Sequence, residues 1–203
     1  MSRRIGLYGG AFDPPHVAHV RLARAALEQL ALDELRVLPT GQAWHKARQL
    51  TSADHRLAMT RLAFGKLDRT QVDEREIRRS GPTYTIDTVR EILAEQPDSE
   101  LVVVMGEDQA IRLPTWRNWE DLLGLAKIAV VPRVEDPTDP PLPEPTFVPP
   151  PGAQDRFIRL AMPLTPLSAT AIRQRLSAGD AVSPLVGEAV ARYIDQHHLY
   201  QGS

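Results

Sequence analysis

Two histidines lie three residues apart near the start of the chain, within the segment GGAFDPPHVAHVRLA (9–23). The segment stands between an apolar run and an amphipathic run, where a strand is expected to turn into a helix. Gly9 and Gly10 allow a tight turn and a close approach of a ligand to the backbone. His16 and His19 share one face of the predicted helix, so both imidazoles can reach one ligand. The N–H groups of a helix N-terminus favour a bound phosphate, next to which each imidazole can become cationic.

Other chemistry for this segment is less well supported. It lacks both the G-x-G-x-x-G spacing of dinucleotide-binding folds and the GK[ST] of a Walker A loop. Taken alone, a His-x-x-His pair is more often a pair of surface or capping residues. A metal site that includes Asp13 is a weaker alternative, because no further histidine or carboxylate lies at a suggestive spacing. The sequence therefore predicts no metal site built from protein ligands.

A second segment able to hold phosphate is LSATAIRQRL (167–176). Ser168 and Thr170 stand where a helix should begin, and Arg173 lies in its first turn. Hydroxyls, free N–H groups and a guanidinium could together bind phosphate oxygens. The alternative is an ordinary capped helix with an exposed arginine, and this segment alone would favour that alternative.

Short apolar runs alternate along the chain with longer segments of helical periodicity. Strands are predicted at 4–9, 34–39, 70–75, 100–106, 127–133 and 156–162. Helices are predicted at 17–31, 51–64, 84–96, 107–112, 118–125, 168–176 and 183–196, the last with Ser183 as its cap. This α/β alternation predicts a Rossmann-like, doubly wound, mostly parallel sheet with helices on both faces. One cleft should then be formed by the loops after Gly9, Pro39, Gly106 and Met162.

Length and composition limit the class of protein. The 203 residues suit one domain (1–203) with a small helical C-terminal part at about 164–203. Half of the 18 prolines fall within 132–151, which predicts a surface loop at about 133–155. A net charge of −2 argues against a nucleic-acid-binding protein. There is no cysteine, no long apolar stretch and no apolar N-terminal segment, so we expect a cytoplasmic protein without membrane contact.

Together the two phosphate-binding segments resemble the signatures of one superfamily. GGAFDPPHVAH resembles G-G-x-F-D-P-x-H-x-G-H and SATAIR resembles S-x-T-x-I-R, both typical of the HIGH-superfamily nucleotidyltransferases. Ala18 departs from this pattern, since it stands where the superfamily usually has glycine, and we expect the helix to tolerate it. PTGQAWHK, GPTYTIDTV and MGEDQAIRLPTWRNWEDLL are similar to segments of bacterial nicotinate-nucleotide adenylyltransferases. The resemblance runs from residue 5 to about 200 and leaves only the proline-rich loop unmatched.

The resemblance implies that the adenylyl group of ATP is transferred to nicotinate mononucleotide, giving deamido-NAD and pyrophosphate. It implies a catalytic role at the ATP phosphates for His16 and His19. It assigns ATP and its phosphates to Gly9, Gly10, Phe12, Lys46, Ser168, Thr170 and Arg173. It assigns the mononucleotide to Asp13, Tyr84, Thr85, Asp108, Trp116 and Arg117. Mg²⁺ is expected to be carried on the ATP phosphates, because no cluster of carboxylates is available to hold it.

Some of these assignments keep a second interpretation. Trp116 could stack on the pyridine ring or pack in the core, and Asp108 could accept ribose hydroxyls or cap a helix. Lys46 could reach the triphosphate or be a solvated loop residue. Two other kinds of protein compete: a regulatory protein that binds ATP without turnover, and a relative resembling phosphopantetheine adenylyltransferase, against which PTYT and PTWRNW argue. The sequence leaves a homo-oligomer open.

Overall fold

The computed structural model describes residues 2–41, 50–132, 147–162 and 167–201. The strands are β1 (Arg4–Gly10), β2 (Glu34–Pro39), β3 (Thr70–Val72), β4 (Glu100–Gly106), β5 (Ala126–Val131) and β6 (Phe157–Arg159). The helices are α1 (Val17–Gln29), α2 (Ala53–Phe64), α3 (Arg75–Arg78), α4 (Thr85–Glu95), α5 (Glu107–Arg112), α6 (Trp119–Leu125), α7 (Ala169–Ser177), α8 (Ser183–Val186) and α9 (Glu188–Gln196). Single 3-10 turns lie at Leu113–Thr115 and Gln154–Arg156.

The six strands form one parallel sheet in the order β3-β2-β1-β4-β5-β6. The chain moves outward from β1 to β3, returns to place β4 beside β1, and then moves outward in the other direction. This order confirms the predicted Rossmann-like, doubly wound fold. In such sheets ligands bind where the direction reverses, which here is at the carboxyl ends of β1 and β4.

Two apolar layers cover the two faces of the sheet, because successive strand residues point to opposite faces. Leu7 and Val103 belong to the layer under α4 and α6, whereas Tyr8 and Val104 belong to the layer under α1. Strand β4 is buried on both faces by these layers, which agrees with its unbroken apolar sequence.

A third apolar cluster joins α2 to the three C-terminal helices. Met59 of α2 packs in it with Ile172 of α7 and with Val190 and Ile194 of α9. Through this cluster the C-terminal segment is held next to the loop that precedes α2.

Several predicted elements differ from the structure in their bounds. The strand predicted at 70–75 ends at Val72 and is followed by α3, which was not predicted. The last predicted helix is divided at Gly187, whose φ of +84° favours glycine. The predicted cap was also wrong, since Ser183 is the first residue of α8 and Val182 takes the cap position. The strand predicted at 156–162 is limited to Phe157–Arg159.

The proline-rich loop lies partly outside the described residues, which exclude 133–146. Residues 147–153 have no helix or strand. The ring of Phe147 lies 5.1 Å from that of Phe157, centroid to centroid, and packs against the apolar layer under α4. The chain therefore returns to the body of the protein at Phe147.

Candidate active site

The loop after β1 is fixed by close packing. A Cβ on Gly10 would lie 2.9 Å from the Phe12 ring, so this position requires glycine. Phe12 has a φ of +47° and is 2% exposed, and its ring meets those of Tyr8 and Phe64 edge to face. Because the side chain of Phe12 is in the core, its backbone is the part that can face a ligand. Gly9, by contrast, is exposed, with no atom within 4 Å of a Cβ built there.

His16 and His19 lie together at the start of α1. Their rings stack with centroids 3.6 Å apart, and the His16 backbone N–H donates to Nδ1 of His19 at 3.1 Å. Since Nδ1 of His19 accepts this bond, the proton of the neutral ring is on Nε2. Helix α1 therefore holds a histidine in the form that donates from Nε2.

His16 is the more buried of the pair, at 6% exposure. Burial lowers the pKa of His16 to about 4, so its imidazole is neutral near pH 7 in this structure. Among the described residues, Nδ1 of His16 has no hydrogen-bond partner. Buried polar atoms without a partner are rare in folded proteins, so this nitrogen is a candidate for contact with a bound ligand.

Asp13, in the loop between β1 and α1, is 2% exposed and connects distant parts of the chain. Its Oδ1 accepts the Tyr200 hydroxyl proton at 2.6 Å, and its Oδ2 accepts the Thr51 N–H at 3.3 Å. Burial and the Asp13 carboxylate raise the pKa of Tyr200, so the phenol remains a donor. The predicted mononucleotide ligand Asp13 is thus engaged with the protein itself.

The second phosphate-binding segment meets the first through Arg173. Its Nη1 donates to the Asp13 carbonyl at 2.8 Å, and its Nη2 donates to Thr170 Oγ1 at 3.0 Å. Ser168 caps α7 by accepting the Ala171 N–H at 3.1 Å. The structure therefore brings Ser168, Thr170 and Arg173 to the loop that carries the histidines.

Arg56 is a buried residue of this region that the sequence analysis missed. It lies on α2 at 2% exposure, and its Nε donates to the Thr51 carbonyl at 3.0 Å. Its Nη1 donates to the carbonyls of Ala11 and Thr40 at 3.0 and 2.7 Å, and its Nη2 to that of Gly41 at 3.3 Å. One guanidinium therefore joins the loops after β1 and β2 to the start of α2, as the predicted common cleft requires.

The pyridine end of the predicted site comprises Tyr84, Thr85, Trp116 and Arg117, of which the last two lie between the 3-10 turn and α6. Tyr84 is the N-cap residue of α4 and Thr85 is its first residue. The exposed Arg117 places its guanidinium carbon 4.8 Å from the centre of the Tyr84 ring. Trp116 is partly buried against the apolar layer under α4, as is Trp119. The structure thus brings Tyr84 and Arg117 into contact.

Thr83, one residue before Tyr84, is a second group that the sequence analysis missed. Within the described residues its buried Oγ1 has no hydrogen-bond partner. A Cβ on Gly41 would lie 3.1 Å from this oxygen and 2.1 Å from the Glu76 carbonyl oxygen. The loop after β2 therefore needs glycine to pass this close to the start of α4.

Acidic residues follow β4 directly. Asp108, in the first turn of α5, accepts a hydrogen bond from the Gln109 side chain at 2.9 Å. Glu107 accepts the Phe147 N–H at 3.1 Å and contacts Arg159 at 3.3 Å. Glu107 thus connects the end of β4 to β6 and to the chain returning from the proline-rich segment.

Two further predictions are limited by what the structure describes. Lys46 lies outside the described residues. Over the described ranges, no group of three or more His, Cys, Asp or Glu side chains could hold a metal ion. In those same ranges no helix combines the length and apolar character needed to cross a membrane.

Comparison with known proteins gives consistent matches. The model of the cytidylyltransferase-like family matches residues 7–175. A protein of Albidiferax ferrireducens named "probable nicotinate-nucleotide adenylyltransferase" is 51% identical, over 98% of both chains. A protein of Pseudomonas aeruginosa with the same name is 42% identical, over 99% of both chains.

Solved structures share the fold. The nicotinic acid mononucleotide adenylyltransferase of Plasmodium falciparum complexed with APC matches with a TM-score of 0.75 and 18% identity, over 98% of this chain and 97% of that one. The same enzyme complexed with NaAD matches with a TM-score of 0.73. By its sequence identity to the bacterial relatives, the chain belongs to the nicotinate-nucleotide adenylyltransferase family of nucleotidyltransferases, which act in NAD biosynthesis.

Proposed function

We propose that this chain transfers the adenylyl group of ATP to nicotinate mononucleotide. A phosphate oxygen of the mononucleotide forms a bond to the α-phosphorus of ATP. The bond from the α-phosphorus to the oxygen that bridges to the β-phosphate breaks, and pyrophosphate leaves. The attacking phosphate is already an anion at pH 7, so catalysis needs positioning and charge stabilisation rather than a general base.

One observation supports this proposal most strongly: the contact of Arg173 with Asp13. It joins two phosphate-binding segments 160 residues apart in sequence, at the end of the sheet where doubly wound folds bind nucleotides. Neither segment alone would distinguish a phosphate site from an ordinary helix start. Their meeting gives one place with histidines, hydroxyls, a guanidinium and a helix N-terminus.

The two histidines have different tasks in this proposal. His19 donates from Nε2 to the phosphate oxygens on which charge builds during transfer. His16, neutral and buried, offers a ring nitrogen without a partner among the described residues and so binds the phosphates from the other side. Approach of an anionic phosphate raises the pKa of His16, because the anion favours the charged imidazolium.

The remaining phosphate contacts come from backbone and cationic groups. We assign the β- and γ-phosphates to Ser168, Thr170 and Arg173, together with Lys46. The backbones of Gly9, Gly10 and Phe12 line the nucleotide. Mg²⁺ enters with ATP as part of the substrate, bound to its phosphates.

At the pyridine end, backbone donors recognise the carboxylate. The N–H of Thr85 is in the first turn of α4, where helix N–H groups have no partner within the helix. This donor and the Arg117 N–H fit the two carboxylate oxygens. Trp116 stacks on the pyridine ring beside Tyr84, and Asp108 accepts the ribose hydroxyls. For Asp13 we propose a role in positioning the loop, because both of its carboxylate oxygens accept hydrogen bonds from the protein.

The proposal is tested by incubating the protein with Mg-ATP and one acceptor at a time, and by measuring pyrophosphate. Release with nicotinate mononucleotide is expected. Release with phosphopantetheine instead would assign the chain to another acceptor, and ATP binding without release would indicate a regulatory protein. A cytoplasmic location remains a prediction, and a homo-oligomer remains open.

A further inference from the structure

Arg56 uses its guanidinium in an unusual way for a buried cation. Its four hydrogen bonds described above all go to backbone carbonyls, and these lie in three separate segments. Burial lowers the pKa of Arg56, while the Asp13 carboxylate and Tyr200 act in the opposite direction. A buried charge is costly unless its donors are satisfied, and here loop backbone satisfies them.

The bonds of Arg56 determine where neighbouring N–H groups point. In a trans peptide the C=O and the following N–H point in opposite directions. With the Ala11 carbonyl turned to Arg56, the Phe12 N–H points away from it. The Thr40 carbonyl orients the Gly41 N–H in the same manner. Within the part of the chain that the structure describes, neither N–H has a hydrogen-bond acceptor.

The backbone of Phe12 also needs support from its surroundings. Its φ of +47° is rare for a residue other than glycine. Such conformations persist where the surrounding structure holds them and are concentrated at functional sites. Here the aromatic ring is held by Tyr8 and Phe64, and the carbonyl before it is held by Arg56.

We propose that Arg56 is a positioning residue for adenylyl transfer, which orients the N–H groups of Phe12 and Gly41 toward the bound substrates. This rests on the proposed function. Arg56 lies behind the loops and acts through them, so it differs from Arg173 and the histidines, which are assigned to direct contact.

The first test compares Arg56→Lys with Arg61→Lys on the same helix, where the Arg61 side chain is 56% exposed and pairs with Glu74. A lysine keeps the charge but cannot reproduce the fork that reaches both loops. We expect kcat of Arg56→Lys to fall about 30- to 100-fold, since small displacements of reacting groups have effects of this size. The KM for ATP should change less than about threefold, and Arg61→Lys should match the wild type.

The variant must be compared per folded molecule, with the folded fraction taken from the amount of deamido-NAD bound at saturation. A merely structural role for Arg56 would lower Tm and the folded fraction but leave kcat per folded molecule unchanged. A kcat for Arg56→Lys within about threefold of the wild type would overturn the proposal.

A second test uses the wild-type protein, so the proposal can still be contradicted if Arg56→Lys does not fold. Deamido-NAD is added to ¹⁵N-labelled protein and the backbone amide signals of Phe12 and Gly41 are followed. Both signals should shift on binding, while the amide of Gly152, outside the site, should not. If binding is saturated and either Phe12 or Gly41 stays unshifted, the proposal is wrong. Absence of turnover by the wild type would instead reject the proposed function, so the two failures are distinguishable.

Discussion

The two ends of the candidate site are held in different ways. At the phosphate end, which is the side of the site that carries His16, His19 and Arg173, the buried Asp13 accepts hydrogen bonds from segments far apart in sequence. Its carboxylate accepts from Tyr200 and its carbonyl from Arg173. At the pyridine end, Tyr84 and Trp116 are partly buried, Arg117 is exposed, and a cation–π contact joins Arg117 to Tyr84. Long-range hydrogen bonds are thus concentrated at the end to which we assign the ATP phosphates. Substitutions at the phosphate end should change kcat, whereas the pyridine end should decide which mononucleotide is used.

The largest expected effect is the preference for nicotinate mononucleotide over its amide. In the proposed function, the Thr85 and Arg117 N–H groups bind the two oxygens of a carboxylate, whereas an amide would place its NH₂ against one of these donors. Loss of a charge-assisted hydrogen bond costs about 1.5–3 kcal/mol, and an unpaired buried donor adds about 1–3 kcal/mol. The total corresponds to about 10²- to 10⁴-fold in kcat/KM.

This preference is measured with the two mononucleotides at saturating ATP. Equal kcat/KM values would show that the pyridine end does not read the carboxylate through backbone donors. A preference for the amide would reverse the assignment of the acceptor.

The next largest effect is expected for His19→Ala. Loss of one donor to charge that develops in the transition state costs about 2.7–4 kcal/mol, or about 10²- to 10³-fold in kcat. The variant should keep its fold, because His19 is at a helix start rather than in the apolar core. His198→Asn, an exposed position with positive φ that asparagine tolerates, is the matched control. A kcat for His19→Ala near that of the control would remove His19 from the mechanism.

Tyr200→Phe should weaken the support of the phosphate end. It removes the hydroxyl that donates to the buried Asp13 carboxylate. Hydrogen bonds to charged groups contribute about 1.5–3 kcal/mol, so the free energy of unfolding in urea should fall by that amount. Tyr193→Phe, which removes the hydroxyl that contacts Nδ1 of His55, should cost about 0.5–1.5 kcal/mol. If the two variants are equally stable, the Tyr200–Asp13 contact does not support the site.

The smallest effect is expected for Trp116→Ala. Aromatic stacking contributes about 0.5–1.5 kcal/mol beyond buried area, so KM for each mononucleotide should rise about 2- to 13-fold. We expect the Trp116 ring to stack equally on the acid and the amide. The ratio of kcat/KM for the acid to kcat/KM for the amide should therefore stay nearly constant. Core packing without substrate contact predicts instead a lower Tm with an unchanged KM.

Most of the sheet and the long helices could be predicted from the sequence, because apolar periodicity decides them. Helix α3 gave no such signal, since Arg75–Arg78 is a single turn with only one apolar residue. The division of the last helix at Gly187 also escaped prediction, because a glycine within a periodic segment is compatible with a continuous helix. Short elements depend on tertiary contacts that a local pattern does not contain.

The candidate site shows the same limit. The motifs predicted which residues belong to it, but the contact of Arg173 with Asp13 appears only when the chain is folded. The position of Arg56 could have been noticed, since this charged residue shares a buried face of α2 with Met59 and Thr60. The role of Tyr200 could not be predicted, because its partner is 187 residues away in sequence. The burial of the Phe12 side chain likewise follows from tertiary packing.

The proposed separation of roles gives kcat to the phosphate end and acceptor choice to the pyridine end. It is tested most directly by kcat/KM for nicotinate mononucleotide and its amide, in both the wild type and His19→Ala. Substitutions at independent sites add within about 0.3–0.5 kcal/mol. We therefore expect His19→Ala to slow both reactions about 10²- to 10³-fold, and to leave the ratio of acid to amide within about twofold of the wild-type ratio. A ratio that falls toward one in His19→Ala would contradict the account, because it would show that the phosphate end also selects the acceptor.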